Sequence, residues 1–386
     1  MLQTSIPSGE IRSPSFELCV DAASGSSFQR PHVTSNESQI PMREVEKLLG
    51  RIRWVILLIR HKISWSPAVI AGESWRVLTN IGTQREIFRL LKFRPFNEIA
   101  QDKPGLAFRY VVPDYLARGF SVGERAACFL HHYRRLHATL SEDVLRRILQ
   151  GNVTVYEISD GVNHFALTLG APETMGRLEG ELSIDLLVDG KNIFDLSFTI
   201  VPGWVFGSEL EEILLITRLQ GTFGSRPQIR LAQKAFHEFS PRKLLFAVLQ
   251  GIAAAFGIGE VAAVCARNQR GFEKKYAAIL KRAYDDFFAH LGMVKTASGL
   301  YSSPIPIEGK PLASIKGRNR SRARKSRKIR QQIQMACAEF LLGAAQQGTY
   351  SPSGTVNPTL IEESIEQQPS LVAFHEEGLQ SKSLTY

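Results

Sequence analysis

Two cysteines never fall close together in this chain of 386 residues. The four present are Cys19, Cys128, Cys265 and Cys337. No Cys-x-x-Cys pair and no His/Cys pair at metal-ligand spacing exists, which excludes a zinc module and a disulfide-stapled small domain. A reducing compartment is therefore expected. A long uninterrupted apolar run is also missing. The most hydrophobic window, residues 244–263, is broken by Gln250, Gly251, Gly257, Gly259 and Glu260, and reads as core helix plus strand rather than a membrane span. The first apolar residues are interrupted by Ser, Pro, Gly and charge, so no secretory signal is expected. Cytoplasmic localisation follows as the expectation.

Acidic residues are absent from 316–330, where nine of fifteen positions are Lys or Arg. The formal net charge is +10, and without these nine residues it is +1. The excess is thus local, and the folded body is not a general nucleic-acid-binding surface. No aromatic residue interleaves the run, so stacking on single strands has no support and nucleic acid is an unlikely partner by this reading. An anionic membrane surface, reached from the inner face of the inner membrane, is the partner that fits residues 316–330. A solvated tail is the alternative.

What is present is ordered by period. Residues 1–42 are rich in Ser and Pro without periodicity and read as a disordered leader. Residues 43–150 read as a helical region. It opens on REVEKLLGRIRWVILLIRHKI, an amphipathic basic stretch that suits either a membrane surface or an ordinary packed helix. Within that region Ser121 and Glu124 form a capping-box signature for a helix over 121–136. His131 and His132 lie on that helix and His137 just after it, but no carboxylate at i+3 or i+4 completes a ligand set, so no metal site is expected. From Asn152 the period changes to two: NVTVYEISD, NHFALTLGA, GELSIDLLVDG and KNIFDLSFTIV read as antiparallel strands, with Asp189-Gly190 as a hairpin turn. ILLITRLQG adds a strand. A loop, a helical segment over 229–239, the helix starting at Ser240-Pro241, the strand EVAAVCARNQ and a helix over 272–291 follow. The fold class expected is α+β: a mixed, mostly antiparallel sheet with N-terminal helices and a C-terminal β-α-β-α unit over 151–308. Residues 309–330 read as a basic linker, and 331–386 as a short helix with a disordered tail.

The chemistry expected sits in the crossover unit. Gln220, Gly221, Gly224, Ser225 and Arg226 follow a strand, where glycines let backbone N–H groups approach a phosphate. Ser240 suits an N-cap and Pro241 the first helical position, with Arg242 and Lys243 beside them. Cations at a helix start oppose the dipole unless an anion is held there. His237 has the titration range of a general base, and Tyr284 is a candidate general acid; each also suits an ordinary packed residue.

HHYRRL from His131, LEGELSIDLLVDGKNIFDLSFTI from Leu178, LQG at Leu219, KAFHEFSPRKLLFAVL from Lys234, AYDDFFAHLG from Ala283 and LYSSPIP form an ordered series. On these pieces the chain resembles the VirK/YbjX family of bacterial proteins. The resemblance implies roles in virulence, envelope stress, resistance to cationic antimicrobial peptides and placement of an envelope protein, without a settled activity. The order of elements is also similar to the GNAT acyltransferase superfamily. That likeness implies an acyl-coenzyme A ligand held by Gln220–Arg226, Arg242 and Lys243. It further implies Asn268 at the end of the second parallel strand, and Tyr284 or His237 moving protons for transfer to an amine of a protein or envelope precursor. A non-enzymatic binding module on the same fold is the other reading.

Overall fold

The alternating runs become strands where their side chains can be buried on both faces. The computed structural model describes residues 67–172, 178–296, 298–307 and 311–343. The leader 1–42, the basic segment 43–66 and the tail beyond 343 lie outside the described residues. β1 (Asn152–Ser159), β2 (His164–Gly170), β3 (Leu182–Val188) and β4 (Lys191–Pro202) form an antiparallel meander. Asp189 and Gly190, at φ of 50° and 76°, make the two-residue turn between β3 and β4. Asp and Gly tolerate this left-handed backbone, which matches the twist of the flanking strands. β5 (Glu212–Gly221) pairs antiparallel with β4 and parallel with β6 (Glu260–Val264). β7 (Val294–Lys295) and β8 (Leu300–Pro304) complete the sheet in the order β1-β2-β3-β4-β5-β6-β8-β7. The protein is therefore α+β with an eight-stranded mixed sheet, antiparallel at every pair but one.

Helices α1 (Pro67–Thr79), α2 (Ile81–Leu90), α3 (Phe96–Asp102), α4 (Val122–Thr139) and α5 (Glu142–Gln150) precede the sheet. α4 starts with the expected box: the Glu124 N–H donates to Ser121 Oγ and the Ser121 N–H to the Glu124 carboxylate. Caps of this kind are worth about 1 kcal/mol. α4 packs on β4, and its buried His132 accepts the Ile200 N–H through Nδ1 at 3.1 Å. That bond requires the neutral ring. Burial, helped by the nearby His131 and Arg109, pushes the His132 pKa down to about 3. The unfolded chain takes up this proton near the ordinary value of 6.5, the folded chain only near 3. Stability from this group is thus full above 6.5 and is lost as pH falls through that window, by roughly 1.4 kcal/mol per unit. Urea midpoints measured at pH 7 and pH 5 should fall more steeply for the wild type than for His132→Gln. Equal slopes would remove His132 as the cause.

Between β5 and β6 the chain forms α6 (Arg226–Ala235) and α7 (Pro241–Phe256). α7 is apolar almost all round and nearly all buried, stopped by Gly257 at φ 70°. The helix expected over 272–291 is instead two, α8 (Ala277–Ala283) and α9 (Asp285–His290), broken at Tyr284. At the break two successive side chains leave for different partners: Tyr284 reaches β5, and Asp285 accepts the Ala266 N–H at 2.8 Å.

The largest departure from expectation is at the C-terminal side. From Gly317 the basic segment is no linker, because α10 runs unbroken from Gly317 to Gly343. Ile333, Cys337 and Leu341, spaced by four, are buried. Gly251 of α7 lies so close that a Cβ there would stand 2.6 Å from the Gln334 carbonyl oxygen and 2.9 Å from Cys337 Cβ. This near-contact holds α10 against α7, and the basic half continues the same helix. No helix among the described residues is long and apolar enough to cross a membrane.

Candidate functional site

β5 and β6 stay together for three residue pairs only, Leu214 with Val261, Leu215 with Ala262 and Ile216 with Ala263. β5 then continues along β4 to Gly221, while β6 ends at Val264 and turns into a short 3-10 segment over Ala266–Asn268. Beyond Ile216 the β6 side of β5 has lost its strand neighbour. There the Leu219 N–H donates to the Tyr284 hydroxyl at 3.3 Å, and Gln220 Nε2 donates to the same oxygen at 2.8 Å. A side chain thus does what a continued strand would have done with a carbonyl.

Tyr284 is fully buried, and burial pushes its pKa up to about 12. The phenol is therefore neutral at physiological pH. Both of its hydrogen bonds among the described residues are received with Gln220 oriented as here, which leaves its own hydrogen for donation. Nearby on β5, Arg218 binds Asp195 at 2.6 Å and Glu179 at 3.0 Å. Burial disfavours the Arg218 charge, but Asp195 and then Glu179 more than offset it and raise the pKa. On the helix side Arg242 lies over the Phe287 ring at 5.5 Å, its pKa lowered by burial.

The expected site residues separate into groups. Gln220, Tyr284 and, through Phe287, Arg242 belong to the strand opening. Gly221 ends β5 for a packing reason: a Cβ there would meet the Phe194 ring at 3.1 Å and Ile229 at 3.4 Å. Gly224, at φ 81° with open space around it, and Ser225, the α6 N-cap without a side-chain cap bond, form an exposed turn with Phe223. Arg226 is exposed on the first turn of α6. Lys243 lines a separate cleft against α10. Asn268 lies past the end of β6, and its carbonyl accepts the Arg118 N–H at 2.9 Å, tying the crossover unit to the N-terminal region. His237 sits exposed in the α6–α7 turn at φ 49°, and no hydrogen bond or ring contact among the described residues joins it to Tyr284. Among those residues no group of three His, Cys, Asp or Glu could hold a metal.

Sequence reasoning missed two features. One is a buried polar knot at the start of β3. Glu181 receives Arg109 Nη1 at 2.7 Å, the Tyr115 hydroxyl at 2.5 Å and the Tyr133 hydroxyl at 2.6 Å. Its three donors lie 48 to 72 residues from Glu181 in sequence, so no local pattern signals it. The other is the cleft of about 400 Å3 between the start of α7 and the basic half of α10. The charge run was visible in the sequence, but its neighbour was not.

No curated protein and no solved structure matches the chain. A family model does, over residues 74–339, and its description is a protein of unknown function, DUF535. That span takes in the second half of α1, the helices α2 to α5, the whole sheet, the strand opening and most of α10, and it is well over half of the chain. The chain belongs to the DUF535 family, which is the VirK/YbjX family.

Proposed function

We propose that the protein is an acyl-coenzyme A-dependent N-acyltransferase of the bacterial envelope-stress and virulence setting that its family resemblance implied. The observation that carries this reading is the parting of β5 from β6 after Ile216, with a neutral tyrosine hydroxyl bound to the released Leu219 N–H. On this reading the thioester arm binds along the edge of β5 that β6 leaves after Ile216. Tyr284 then stands where a leaving thiolate needs a proton. The balance is simple. The acceptor amine attacks the thioester carbonyl, a C–N bond forms and the C–S bond breaks. Tyr284 protonates the departing sulfur, and the proton released by the amine returns to the phenolate through solvent. Arg242 and Lys243 supply positive charge at the start of α7 for the coenzyme phosphates. Because Tyr284 has no exposed surface, entry of the thioester on this reading includes displacement of the side chains that cover it. His237 has no part in it, since it is exposed and no hydrogen bond or ring contact among the described residues joins it to Tyr284.

The direct test is calorimetry of the full chain with acetyl-coenzyme A and with longer acyl-coenzyme A species. Saturable binding at micromolar concentrations, about −8 kcal/mol, is expected for at least one of them. Absence of binding by any chain length would sink the reading.

A further inference from the structure

One end of the sheet collects the turns that lead out of β1, β3 and β5. The β1–β2 turn closes at Ser159 and His164, the β3–β4 turn at Val188 and Lys191, and β5 ends at Gly221 opposite Phe194. Two of these turns carry an apolar side chain at the tip: Val162 is 88% exposed and Phe223 is fully exposed. Phe223 is not on a loose loop. The Thr222 N–H donates to the Ile193 carbonyl at 2.9 Å, the Ser225 N–H donates to the Thr222 carbonyl at 3.2 Å, and α6 begins at Arg226. A closed turn thus holds the ring out in water. A single exposed apolar side chain is ordinary, but two at turn tips on the same end of one sheet call for a reason.

The charge beside Phe223 has one sign. No acidic residue occurs from Ile213 to His237. Arg226, Arg230 and Lys234 recur at every fourth position of α6 and so form one stripe, with Leu231 next to it. All four side chains are exposed, and among the described residues none of the three cations has a side-chain hydrogen bond or an ion pair. The other face of α6 packs inward through Ala232, with Ile229 and Ala235 against the core. The two carboxylates at the turn tips are engaged by their own turns. Asp160 accepts the Val162 and Asn163 N–H groups, and Asp189 accepts the His164 N–H at 2.8 Å. Apolar tips beside unpaired cations match one surface, a bilayer with anionic headgroups and an acyl region just beneath them. A nucleic acid would satisfy the cations and could stack on Phe223, but it offers nothing to Val162 and Leu231.

We infer that this end of the sheet docks on an anionic membrane, with Phe223 entering the headgroup region and Arg226, Arg230 and Lys234 lying against the lipid phosphates. The contact uses neither Tyr284 nor α10 and is independent of any transfer reaction. It has one consequence for the opening between β5 and β6. Gln220 precedes Phe223 by three residues, so docking sets that opening close to the bilayer. Each cation near such a surface raises affinity about fivefold, so Arg226 and Arg230 together account for roughly 25-fold.

The test is co-sedimentation of the full chain with phosphatidylcholine vesicles, with and without phosphatidylglycerol. The wild type should bind only the anionic vesicles. Arg226→Ala/Arg230→Ala should weaken that binding by about tenfold or more, and Phe223→Ala by about fivefold. Two controls should bind as the wild type does. Trp204→Ala removes an exposed aromatic side chain at the opposite end of β5, where Pro202 pairs with Glu212. Arg85→Ala/Arg89→Ala removes the same charge from the exposed face of α2. Thermal melts check that each variant is folded. The emission of Phe223→Trp, less that of the wild type, should shift to the blue on anionic vesicles and not on phosphatidylcholine alone. Absence of binding by the folded wild type overturns the proposal. So does binding that ignores both Phe223→Ala and Arg226→Ala/Arg230→Ala, which would move the contact to another segment such as 316–330. An equal loss in Arg85→Ala/Arg89→Ala would reduce the effect to diffuse charge. Release of the vesicle-bound wild type by a single-stranded RNA, through the same two arginines, would assign the stripe to nucleic acid instead.

Discussion

Glu181→Ala should lower the unfolding free energy by about 3–5 kcal/mol, a large part of the roughly 5–15 kcal/mol typical of a domain. Glu181 is 1% exposed, and Arg109, Tyr115 and Tyr133 around it are all buried. The carboxylate accepts from Arg109 and from both phenols, and Arg109 Nη2 also donates to the Gly180 carbonyl at 3.2 Å. Burial, and then the Glu181 charge, hold the two tyrosines far above their ordinary pKa, so they remain neutral donors that need this acceptor. Removing the carboxylate leaves a buried guanidinium facing no counter-charge at that position and two phenols facing a void. The pair itself carries little net stability, because desolvating two charges offsets most of their attraction. The double substitution Arg109→Met/Glu181→Leu should therefore be less harmful than Glu181→Ala alone, the remaining loss coming from the two phenols left without their acceptor. Urea denaturation of the three proteins decides this. A loss below about 1 kcal/mol in Glu181→Ala would mean that the knot is solvated or replaceable.

The contrast between this knot and the sheet shows what a linear chain reveals. Alternating side chains, Asp189-Gly190 and the Ser121–Glu124 box are local patterns with local causes, and β1 to β4 and α4 appear where they were expected. Partners far apart leave no such trace. Glu181 looks like an ordinary acidic residue at a strand start until Tyr133 and Arg109 fold over it. Gly221 has two meanings in the sequence, approach to a phosphate or close packing, and only the Phe194 ring at 3.1 Å chooses the second. α10 was hidden for another reason. Its apolar anchors are all in the C-terminal half, so the basic half shows no amphipathic period although it is equally helical. The association of Gln220 with Tyr284 is half legible: both residues carry a signal, Gln220 at a strand end and Tyr284 on a helix, but that helix reads as continuous. The break at Tyr284 is what allows the phenol to reach β5.

On the proposed acyltransferase reading, Tyr284→Phe should reduce turnover by about 10²–10⁴ while leaving the dissociation constant of the acyl-coenzyme A nearly unchanged. The substitution keeps the ring that packs beside Phe288 and removes one oxygen. Two effects follow, and they can be separated. The Leu219 N–H loses its acceptor, which costs about 1–3 kcal/mol of stability for a buried donor. On the proposed acyltransferase reading the departing sulfur would also lose its proton donor, which would lower kcat per folded molecule. A purely structural tyrosine would show the first effect without the second, and turnover corrected for folded fraction would then equal that of the wild type. Alkaline pH gives an independent check. Because burial raises the folded pKa of Tyr284 to about 12 from an ordinary value of 10, the unfolded chain releases this proton first. Stability from the group is full below pH 10 and is lost as pH rises toward 12, by about 1.4 kcal/mol per unit. The wild type should lose stability over that interval more steeply than Tyr284→Phe. If Tyr284 is the proton donor of the proposed reaction, it stays protonated until the same limit, so it gives the wild-type rate no alkaline fall below about pH 11. A fall centred near pH 8 would assign the proton to another group and leave Tyr284 as the plug of the strand opening.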